Sequence, residues 1–193
     1  MNRMDGKICI VTGATQGLGA AIARRLAAAG AAGIVITGRN ADRGAQVARD
    51  IADQHGIGAH FLKADFGRIE DCQRVIAETA RLFGRIDVLV NAGASTARGT
   101  IVDTTPETFD ELFSTNVRGP YFLMQEAIKL MIAKGIEGAI CNIGSISALS
   151  GQPFINAYCA SKGALTTLTA NTAFSVMANR IRVNQIGRAS CRE

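Results

Sequence analysis

Short apolar runs alternate with longer amphipathic stretches along the chain. Residues 8–11, Ile-Cys-Ile-Val, are apolar at every position, which is typical of a strand buried on both faces of a parallel sheet. Leu18, Ile22 and Leu26 then recur at helical spacing, and Gly30 is expected to end that helix. The chain is therefore predicted to begin with a strand that leads directly into a helix.

The same alternation repeats along the rest of the sequence. It predicts further strands around residues 34–36, 61–62, 86–90, 139–143 and 181–183. Two helices are predicted to end near Gly56 and Gly84. Two long helices are predicted over residues 106–132 and 156–177, and Thr105 is expected to cap the first of them. Strictly alternating strands and helices imply one α/β domain, with a parallel sheet of about six strands and helices on both faces.

Composition and charge limit the kinds of partner that this chain is expected to bind. Apolar residues make up 48% of the 193 residues and charged residues 19%, which indicates a folded globular domain. The net charge of +5 comes from scattered basic residues, so no nucleic-acid partner is expected. The apolar runs are too short to cross a bilayer, so no membrane association is expected either.

The five cysteines form no CxxC pair and no metal-ligand spacing, so we expect no metal site. Their odd number favours a reducing compartment. The first predicted strand starts so early that no room remains for a signal peptide, and we expect a cytoplasmic protein.

A glycine-rich turn, TGATQGLG at residues 12–19, follows the first predicted strand and opens the first predicted helix. Free backbone N–H groups and the positive end of a helix dipole favour an anion there, such as a dinucleotide pyrophosphate. Gly13 would permit the tight turn, Gly17 would let backbone approach the phosphates, and Gly19 would let the helix pack close to the strand. A purely structural loop is the alternative interpretation.

Tyr158 and Lys162 lie four residues apart on a predicted helix and therefore share one face. Ser145 lies just past the carboxyl end of the fifth predicted strand, where ligands bind in open α/β sheets. A tyrosine hydroxyl ordinarily titrates near pH ~10, and a neighbouring ammonium stabilises its ionised form. The three side chains are candidates for proton exchange at a substrate oxygen.

The ordered set TGATQGLG (12–19), NAG (91–93), Asn116, Ser145 and YCASK (158–162) resembles the short-chain dehydrogenase/reductase family over residues 6–185. The resemblance implies a Rossmann-like, doubly wound fold and an NAD(P)-linked oxidoreductase acting on a small alcohol or carbonyl substrate. Tyr158 would be the acid/base, Ser145 would orient the substrate oxygen, and Lys162 would hold the nicotinamide ribose. Asn116 would support a proton relay. A non-catalytic dinucleotide-binding protein, or an inactive fragment of such an enzyme, is the alternative. A related epimerase or dehydratase is the third possibility.

The resemblance also implies which residues contact the cofactor. They are Gly13, Thr15, Gln16, Gly17, Leu18, Gly19, Arg39, Asp65, Asn91, Ala92, Gly93, Tyr158 and Lys162. For Asn91 a plain strand-ending turn is the alternative interpretation, and for Asp65 it is a helix cap.

The end of the second strand bears on the choice between NADP and NAD. The sequence there is Gly38-Arg39-Asn40, without the carboxylate that typically bonds the 2′-hydroxyl of NAD. Arg39 is suited to a 2′-phosphate. We therefore expect NADP to be favoured over NAD.

The last residues depart from the family pattern. The family continues into a substrate lid and another strand, whereas residues 186–193 read IGRASCRE, which a common sequencing-adapter oligonucleotide would encode. We expect an incomplete catalytic domain at residues 1–186 and a non-native tail at 187–193. A genuine short tail or a cloning scar is the alternative. The full-length protein is expected to be a homodimer or homotetramer that associates through the helices at 109–132 and 156–177. This chain itself is expected to turn over poorly.

Overall fold

The computed structural model describes residues 4–188. These residues form six parallel strands: β1 (Ile8–Val11), β2 (Gly33–Gly38), β3 (Gly58–Lys63), β4 (Val88–Asn91), β5 (Ala139–Ser145) and β6 (Arg182–Arg188). Their spatial order is β3-β2-β1-β4-β5-β6, which is the order of a doubly wound dinucleotide-binding sheet. The predicted fold class is confirmed.

The helices of the described chain fall between the strands as the periodicity predicts. They are α1 (Gly17–Ala28), α2 (Ala41–His55), α3 (Ile69–Phe83), α4 (Pro106–Phe113), α5 (Gly119–Ala133) and α6 (Asn156–Ser175). Gly56 and Gly84 end α2 and α3 in the left-handed conformation, as expected for glycine caps. Thr105 caps α4, accepting a hydrogen bond from the N–H of Thr108 at 3.3 Å.

Alternate residues of β1 enter two different cores. Cys9 and Val11 pack with buried side chains of α1 and α2 on one face of the sheet. Ile10 packs with side chains of α3 and α5 on the other face. Burial on both faces explains why every position of this strand is apolar. Desolvation by burial also raises the pKa of the Cys9 thiol to about 12, so this cysteine acts as a small apolar side chain.

The chain changes face between β3 and β4. Helices α1 and α2 cover one side of the sheet, and α3 and α5 cover the other. Strand β4 returns to the centre and pairs with β1. The strand order therefore reverses between β1 and β4, and a crevice opens at their carboxyl ends.

One helix that was predicted to be continuous is interrupted in the structure. The expected continuous helix over residues 106–132 is interrupted by a π-helical turn, Ser114–Arg118, between α4 and α5. This turn uses hydrogen bonds that span one residue more than in an α-helix. Its centre holds Asn116, which is fully buried. Hydrophobic periodicity does not reveal the turn because apolar residues continue on both sides of it.

The last strand is longer than predicted. It runs from Arg182 to Arg188 rather than over residues 181–183, because it pairs with all seven residues of β5. The predicted domain boundary at residue 186 therefore falls inside β6. Residues 189–193 of the expected tail lie outside the described residues, and the non-native tail stays a prediction.

Candidate active site

Most of the predicted site residues line one cavity of about 470 Å³ at the carboxyl edge of the sheet. From the predicted set, the wall contains Gly13, Thr15, Gln16, Gly17, Leu18, Gly19, Arg39, Asp65, Ala92, Gly93, Tyr158 and Lys162. Asn91, Asn116 and Ser145 are not among the lining residues. The structure therefore joins the glycine-rich turn and the Tyr158–Lys162 pair in one crevice and places three predicted residues around it.

The glycine-rich turn owes its shape to two close backbone approaches. A Cβ atom on Gly13 would lie 2.4 Å from Gly93 Cα, and one on Gly19 would lie 2.4 Å from the Gly13 carbonyl oxygen. Gly13 also has a φ of +63°, which is unfavourable for a residue with a side chain. The turn can adopt this conformation only with glycine at these positions.

Gly17 has a different role from Gly13. Its φ is +57°, but no described atom lies within 4 Å of the position that a Cβ would take. Gly17 is the first residue of α1 and lines the cavity. Among the described residues no side chain caps this helix, so its first N–H groups are available to an anion in the crevice.

Thr12 was not predicted as a functional residue, yet it positions the turn after β4. Its buried hydroxyl accepts hydrogen bonds from the N–H groups of Ala92 at 3.0 Å and Gly93 at 3.1 Å. This contact holds two walls of the crevice together. The only signal in the sequence is a hydroxyl residue immediately before Gly13.

Asn91 lies beneath the crevice wall. Its side-chain N–H donates to Asn142 Oδ1 at 2.8 Å, and the Asn142 amide donates to Thr169 Oγ1 at 2.9 Å. All three side chains are buried. This polar chain links β4, β5 and α6, so in the structure Asn91 stabilises the carboxyl end of β4 and is not among the residues that line the cavity.

Tyr158 and Lys162 lie on the first turns of α6, on the face toward the crevice. Lys162 is 3% exposed, and its Nζ donates to the carbonyl oxygen of Ile143 at 2.8 Å. The same Nζ lies 5.9 Å from the centroid of the Tyr158 ring. A nearly buried ammonium therefore faces the phenol across one helical turn, as the spacing predicts.

Asn116 joins the π-helical turn to the loop after β4 and to α6. Its Oδ1 accepts from the Ser95 N–H at 2.8 Å, and its Nδ2 donates to the Ser95 carbonyl and to Ser161 Oγ, both at 3.0 Å. Ser161 Oγ in turn donates to the Tyr158 carbonyl at 2.8 Å. The Asn116 side chain therefore braces the backbone around the candidate acid/base.

Ser145 is the last residue of β5, and Gly144 before it lines the cavity. Its Oγ accepts a hydrogen bond at 3.2 Å from the N–H of Ser147, in a short 3₁₀ turn that follows the strand. A hydroxyl that accepts one hydrogen bond still has its own proton to donate. Ser145 thus lies at the predicted edge of the sheet, in contact with the loop that leads to α6.

The other end of the crevice is basic. Arg39 and Arg43 both line it, and the Arg43 guanidinium donates to the side-chain oxygen of Gln16. Arg43 was not predicted, although its position in the first turn of α2, four residues after Arg39, is a usable signal. Asp65 also lines the crevice, and its carboxylate accepts from the Gly67 N–H at 3.0 Å. The N-cap position of α3 is Arg68, whose side chain makes no capping hydrogen bond, so Asp65 does not occupy the cap position of this helix.

A second group missed from the sequence surrounds Ser95. Its hydroxyl donates to Glu111 Oε1 at 2.9 Å, and both residues line the cavity. Glu111 reaches the crevice from α4, which the sequence pattern assigned only to packing. Nothing local in the sequence pairs these residues, because they come from different elements.

Comparison with known proteins identifies the class to which this fold and site belong. The sequence model described as short chain dehydrogenase matches residues 7–191. The chain belongs to the short-chain dehydrogenase/reductase family, whose members are oxidoreductases of alcohols and carbonyl compounds that bind a nicotinamide dinucleotide.

Three relatives show how wide this family is. The chain is 36% identical to the 3beta-hydroxysteroid dehydrogenase of Mediterraneibacter gnavus, with 96% of the chain and 66% of the relative covered. It is 34% identical to the NADP-dependent (R)-specific alcohol dehydrogenase of Lentilactobacillus kefiri, with 96% of the chain and 73% of the relative covered. The solved structure of NAD⁺-bound xylitol dehydrogenase matches with a TM-score of 0.90 at 30% identity, covering 96% of this chain and 71% of that one.

The described residues also bear on membrane association. Within residues 4–188, no helix combines the length and the apolar character that crossing a bilayer requires.

Proposed function

We propose that this chain interconverts an alcohol and the corresponding carbonyl compound, with a nicotinamide dinucleotide bound in the crevice and Tyr158 exchanging the proton. One observation carries the proposal: the glycine-rich turn and the Tyr158–Lys162 pair open onto the same cavity. A dinucleotide site and a proton donor are thus within reach of one substrate. When bound, the nicotinamide ring supplies hydride transfer.

The residues of the crevice fit this cofactor. The open space over Gly17 and the first N–H groups of α1 suit the pyrophosphate. Asp65 and Phe66 follow β3, at the edge of the sheet, and Lys162 contacts β5, so the cavity extends across several strands and leaves room for a molecule with two ends. Lys162 would hold the ribose nearest to Tyr158.

Tyr158 acts as the acid/base in this proposal, and Lys162 supports it electrostatically. The ammonium of Lys162 attracts the negative charge that develops on the phenol oxygen when the proton leaves. Burial strengthens this attraction because little water screens it. The hydrogen bond from Lys162 to the Ile143 carbonyl keeps the ammonium near the ring.

Ser145 and Asn116 have different tasks. Ser145 donates its free hydroxyl proton to the substrate oxygen, at the carboxyl end of β5. Both N–H donors of the Asn116 amide are engaged, with Ser95 and Ser161, and its oxygen accepts from Ser95, so this side chain helps to fix the position of the α6 backbone. A proton relay at residue 116 would have to use an acceptor oxygen, because both N–H donors of the side chain are occupied.

The test is to replace Tyr158 and measure NADPH consumption with a panel of carbonyl compounds. Tyr158→Phe is expected to lower kcat by about 10²–10⁴-fold, the usual contribution of general acid–base catalysis. Dinucleotide affinity should remain within about 2-fold, because the ring and Lys162 are retained. Tyr121→Phe, at the chain's other tyrosine, is the matched control. Equal rates for the parent chain and Tyr158→Phe would remove Tyr158 from the mechanism.

For the cofactor we propose a preference for NADP over NAD. Arg39 and Arg43 both line the crevice beside the end of β2, and Gln16 accepts a hydrogen bond from Arg43. Guanidinium groups bond phosphate oxygens strongly, and a 2′-phosphate is what distinguishes the two cofactors.

A binding titration without substrate tests this preference. Arg39→Ala is expected to weaken NADPH binding about 10-fold, the loss of about 1.4 kcal/mol, and to leave NADH binding unchanged. Arg49→Ala, at an exposed arginine of α2 that does not line the cavity, should change neither affinity. Equal affinity of the parent chain for NADPH and NADH would remove the role assigned to Arg39.

We also propose that the protein is a homodimer or homotetramer. Phe109 and Tyr121, on α4 and α5, are partly exposed, and Phe174 on α6 is largely exposed. Apolar side chains on neighbouring helices favour association between copies. Sedimentation velocity of the parent chain and of Phe174→Ser would test this: the substitution should shift the protein toward monomer.

The proposed location is the cytoplasm. Four cysteines of the described region are free thiols, two of them buried, which suits a reducing compartment. Fractionation of cells that express the protein from its own gene is the direct test.

A further inference from the structure

The buried face of α6 carries several polar side chains. The buried residues of this helix are Ala157, Ser161, Lys162, Leu165 and Thr169, and three of these five are polar. Buried polar groups in folded proteins are almost always hydrogen-bonded. The partners of these side chains therefore show what holds the helix against the sheet.

The hydroxyls of Ser161, Thr166 and Thr169 share one arrangement. Each donates a hydrogen bond to a carbonyl oxygen of α6 and accepts one from a side-chain amide on another element. The bonds run from Asn116 to Ser161 to the Tyr158 carbonyl (3.0 and 2.8 Å), from Gln185 to Thr166 to the Lys162 carbonyl (3.1 and 3.0 Å), and from Asn142 to Thr169 to the Leu165 carbonyl (2.9 and 2.7 Å). The π-helical turn, β6 and β5 are thus each joined to α6 through a hydroxyl.

The hydrogen bond between Gln185 and Thr166 fixes the direction of the Gln185 amide. Thr166 Oγ1 donates its one proton to the Lys162 carbonyl, so it can only accept from Gln185, and Nε2 must face it. The amide oxygen then packs against Gly144, a residue of the cavity wall, where a Cβ would lie 3.3 Å from it. This oxygen is buried without a hydrogen-bond partner in the part of the chain that the structure describes. Such an acceptor costs stability, so stability alone does not explain a glutamine at this position.

Gln185 and Thr166 act on the helical turn that carries Lys162. Gln185 lies in the middle of β6 and pairs in register with Asn142 of β5. The next residue of β5 is Ile143, whose carbonyl accepts from Lys162 Nζ at 2.8 Å. Lys162 is therefore attached to the sheet at both ends, its backbone to β6 through two side chains and its ammonium directly to β5.

We propose that Gln185 and Thr166 are positioning residues, which hold Lys162 where its ammonium stabilises ionised Tyr158. The use of this arrangement in catalysis rests on the proposed function, in which Tyr158 exchanges the proton. Lys162 Nζ lies 5.9 Å from the centroid of the Tyr158 ring, and the attraction between opposite charges weakens as their separation grows. When the turn of α6 is released from β6, the ammonium can move away from the ring. The phenol should then lose its proton only at a higher pH.

Ultraviolet titration of the phenol tests the proposal without turnover. The chain has two tyrosines and no tryptophan, so in a Tyr121→Phe background the absorbance of ionised tyrosine reports on Tyr158 alone. Thr166→Val and Gln185→Met should each raise the midpoint of this titration by about 0.5 to 1 pH unit. An unchanged midpoint in both variants would overturn the proposal.

The other charged groups of the site stay constant in this comparison. The cavity wall that contains Tyr158 and Lys162 also carries charged side chains from the ends of β2 and β3 and from α2 and α4, namely Arg39, Asp65, Arg43 and Glu111. Neither substitution removes any of them. A difference in midpoint between the variants and the parent chain therefore reports on the position of Lys162.

Two matched variants separate positioning from a general loss of structure. Thr169→Val removes the same kind of contact further along α6, where the carbonyl belongs to Leu165. It should lower the free energy of unfolding but leave the midpoint within about 0.2 pH units. Thr166→Ser retains the hydroxyl and should keep the midpoint of the parent chain. If Thr169→Val raised the midpoint as much as Thr166→Val, the cause would be a general loosening of α6, and the proposal would fail.

Circular dichroism establishes that each variant is folded. If Thr166→Val is unfolded, Gln185→Met makes the same test from β6, at a partly exposed residue. Unfolding of both variants would assign the contact to stability and overturn the inference.

The failure of this inference and the failure of the proposed function give different results. If Tyr158→Phe reduces the carbonyl panel as fast as the parent chain while Thr166→Val shifts the midpoint, the proposed function fails and the positioning of Lys162 stands. If Tyr158→Phe is inactive while the midpoint stays constant in Thr166→Val and Gln185→Met, the proposed function stands and the inference fails.

Discussion

The two sides of the crevice are built in different ways. The side formed by β1 and α1 is made of backbone: Gly13, Gly17 and Gly19 shape it, and two close approaches to other backbone atoms define it. The side formed by β4, β5 and α6 is made of side chains. Asn116, Ser161 and Lys162 reach across elements to hold it by hydrogen bonds.

This difference separates two kinds of functional requirement. A pyrophosphate needs backbone N–H groups and empty space, which a short stretch of glycines supplies locally. Proton exchange needs a hydroxyl, an ammonium and their supports at fixed positions, and these residues come from distant parts of the chain. Substitutions should therefore lower stability through backbone strain on the glycine side and through lost hydrogen bonds on the side made of side chains.

The largest effect is expected at Gly13, with Gly17 as its matched partner. Both have a positive φ, but only the Gly13 Cβ would collide with backbone. Gly13→Ala should destabilise the fold by about 3 kcal/mol, combining strain and overpacking. Gly17→Ala should cost about 1 kcal/mol.

Urea unfolding measures both losses of stability. In a dinucleotide titration the order should be reversed, so that Gly17→Ala weakens binding more than Gly13→Ala does. Gly17→Ala is expected to weaken binding at least about 10-fold, because its new methyl group enters the cavity. If Gly13→Ala proved as stable as Gly17→Ala, the close approach to Gly93 would not be what shapes the turn.

On the side of the crevice that is made of side chains, Asn116→Ala should lower the free energy of unfolding by about 2–3 kcal/mol. It leaves the buried N–H and carbonyl of Ser95 without their partner. Asn171→Ala, at an exposed asparagine of α6 that donates to Thr167, should stay within about 0.5 kcal/mol. A small loss at Asn116, similar to that at Asn171, would show that this network does not hold the side-chain wall of the crevice together.

The smallest effect is expected at Asp87, which lies at the amino ends of β1 and β4, opposite the crevice. Asp87 before β4 accepts from the Ile8 N–H at 3.0 Å and pairs with Arg85 and Lys7. Desolvation raises the pKa of Asp87, but the hydrogen bonds from Arg85 and Ile8 outweigh it, and the pKa is lowered overall. The stabilisation is therefore fully present above pH ~4, where an unfolded aspartate is ionised, and is lost as the pH falls further.

Asp87→Asn should lower the free energy of unfolding by about 1–2 kcal/mol at pH 7 and flatten its fall below pH ~4. Chemical unfolding at several pH values measures both changes. Asp50→Asn, which removes the surface pair with Arg24, should change stability at pH 7 by less than about 0.5 kcal/mol. An unchanged acid dependence in Asp87→Asn would assign the loss to other carboxylates.

Much of the fold and part of the site were predictable from local pattern. The apolar runs and the glycine caps identify the strands and the ends of α2 and α3, because each depends on a few adjacent residues. The glycine pattern at residues 12–19 and the four-residue spacing of Tyr158 and Lys162 were enough to predict that these residues line the crevice. Each follows from one strand–turn–helix unit or from one turn of helix.

Other features were beyond reach of the sequence pattern. The π-helical turn at Ser114–Arg118 is a change of hydrogen-bond register that leaves the apolar periodicity intact. The contact between Ser95 and Glu111 joins two elements whose packing no local pattern specifies. The full length of β6 depends on its partner strand.

By itself the sequence determined the order of strands and helices, the glycine-rich turn and the shared helix face of Tyr158 and Lys162, since near neighbours along the chain decide all three. Only the tertiary structure decided that Asn91 and Asn116 act as buried supports and that Arg43 joins Arg39. It alone joined the loop after β4 to the loop after β5 through the bridge between Gly99 and Ile155. These relations depend on packing between distant segments, which is settled only when the whole sheet and its helices come together.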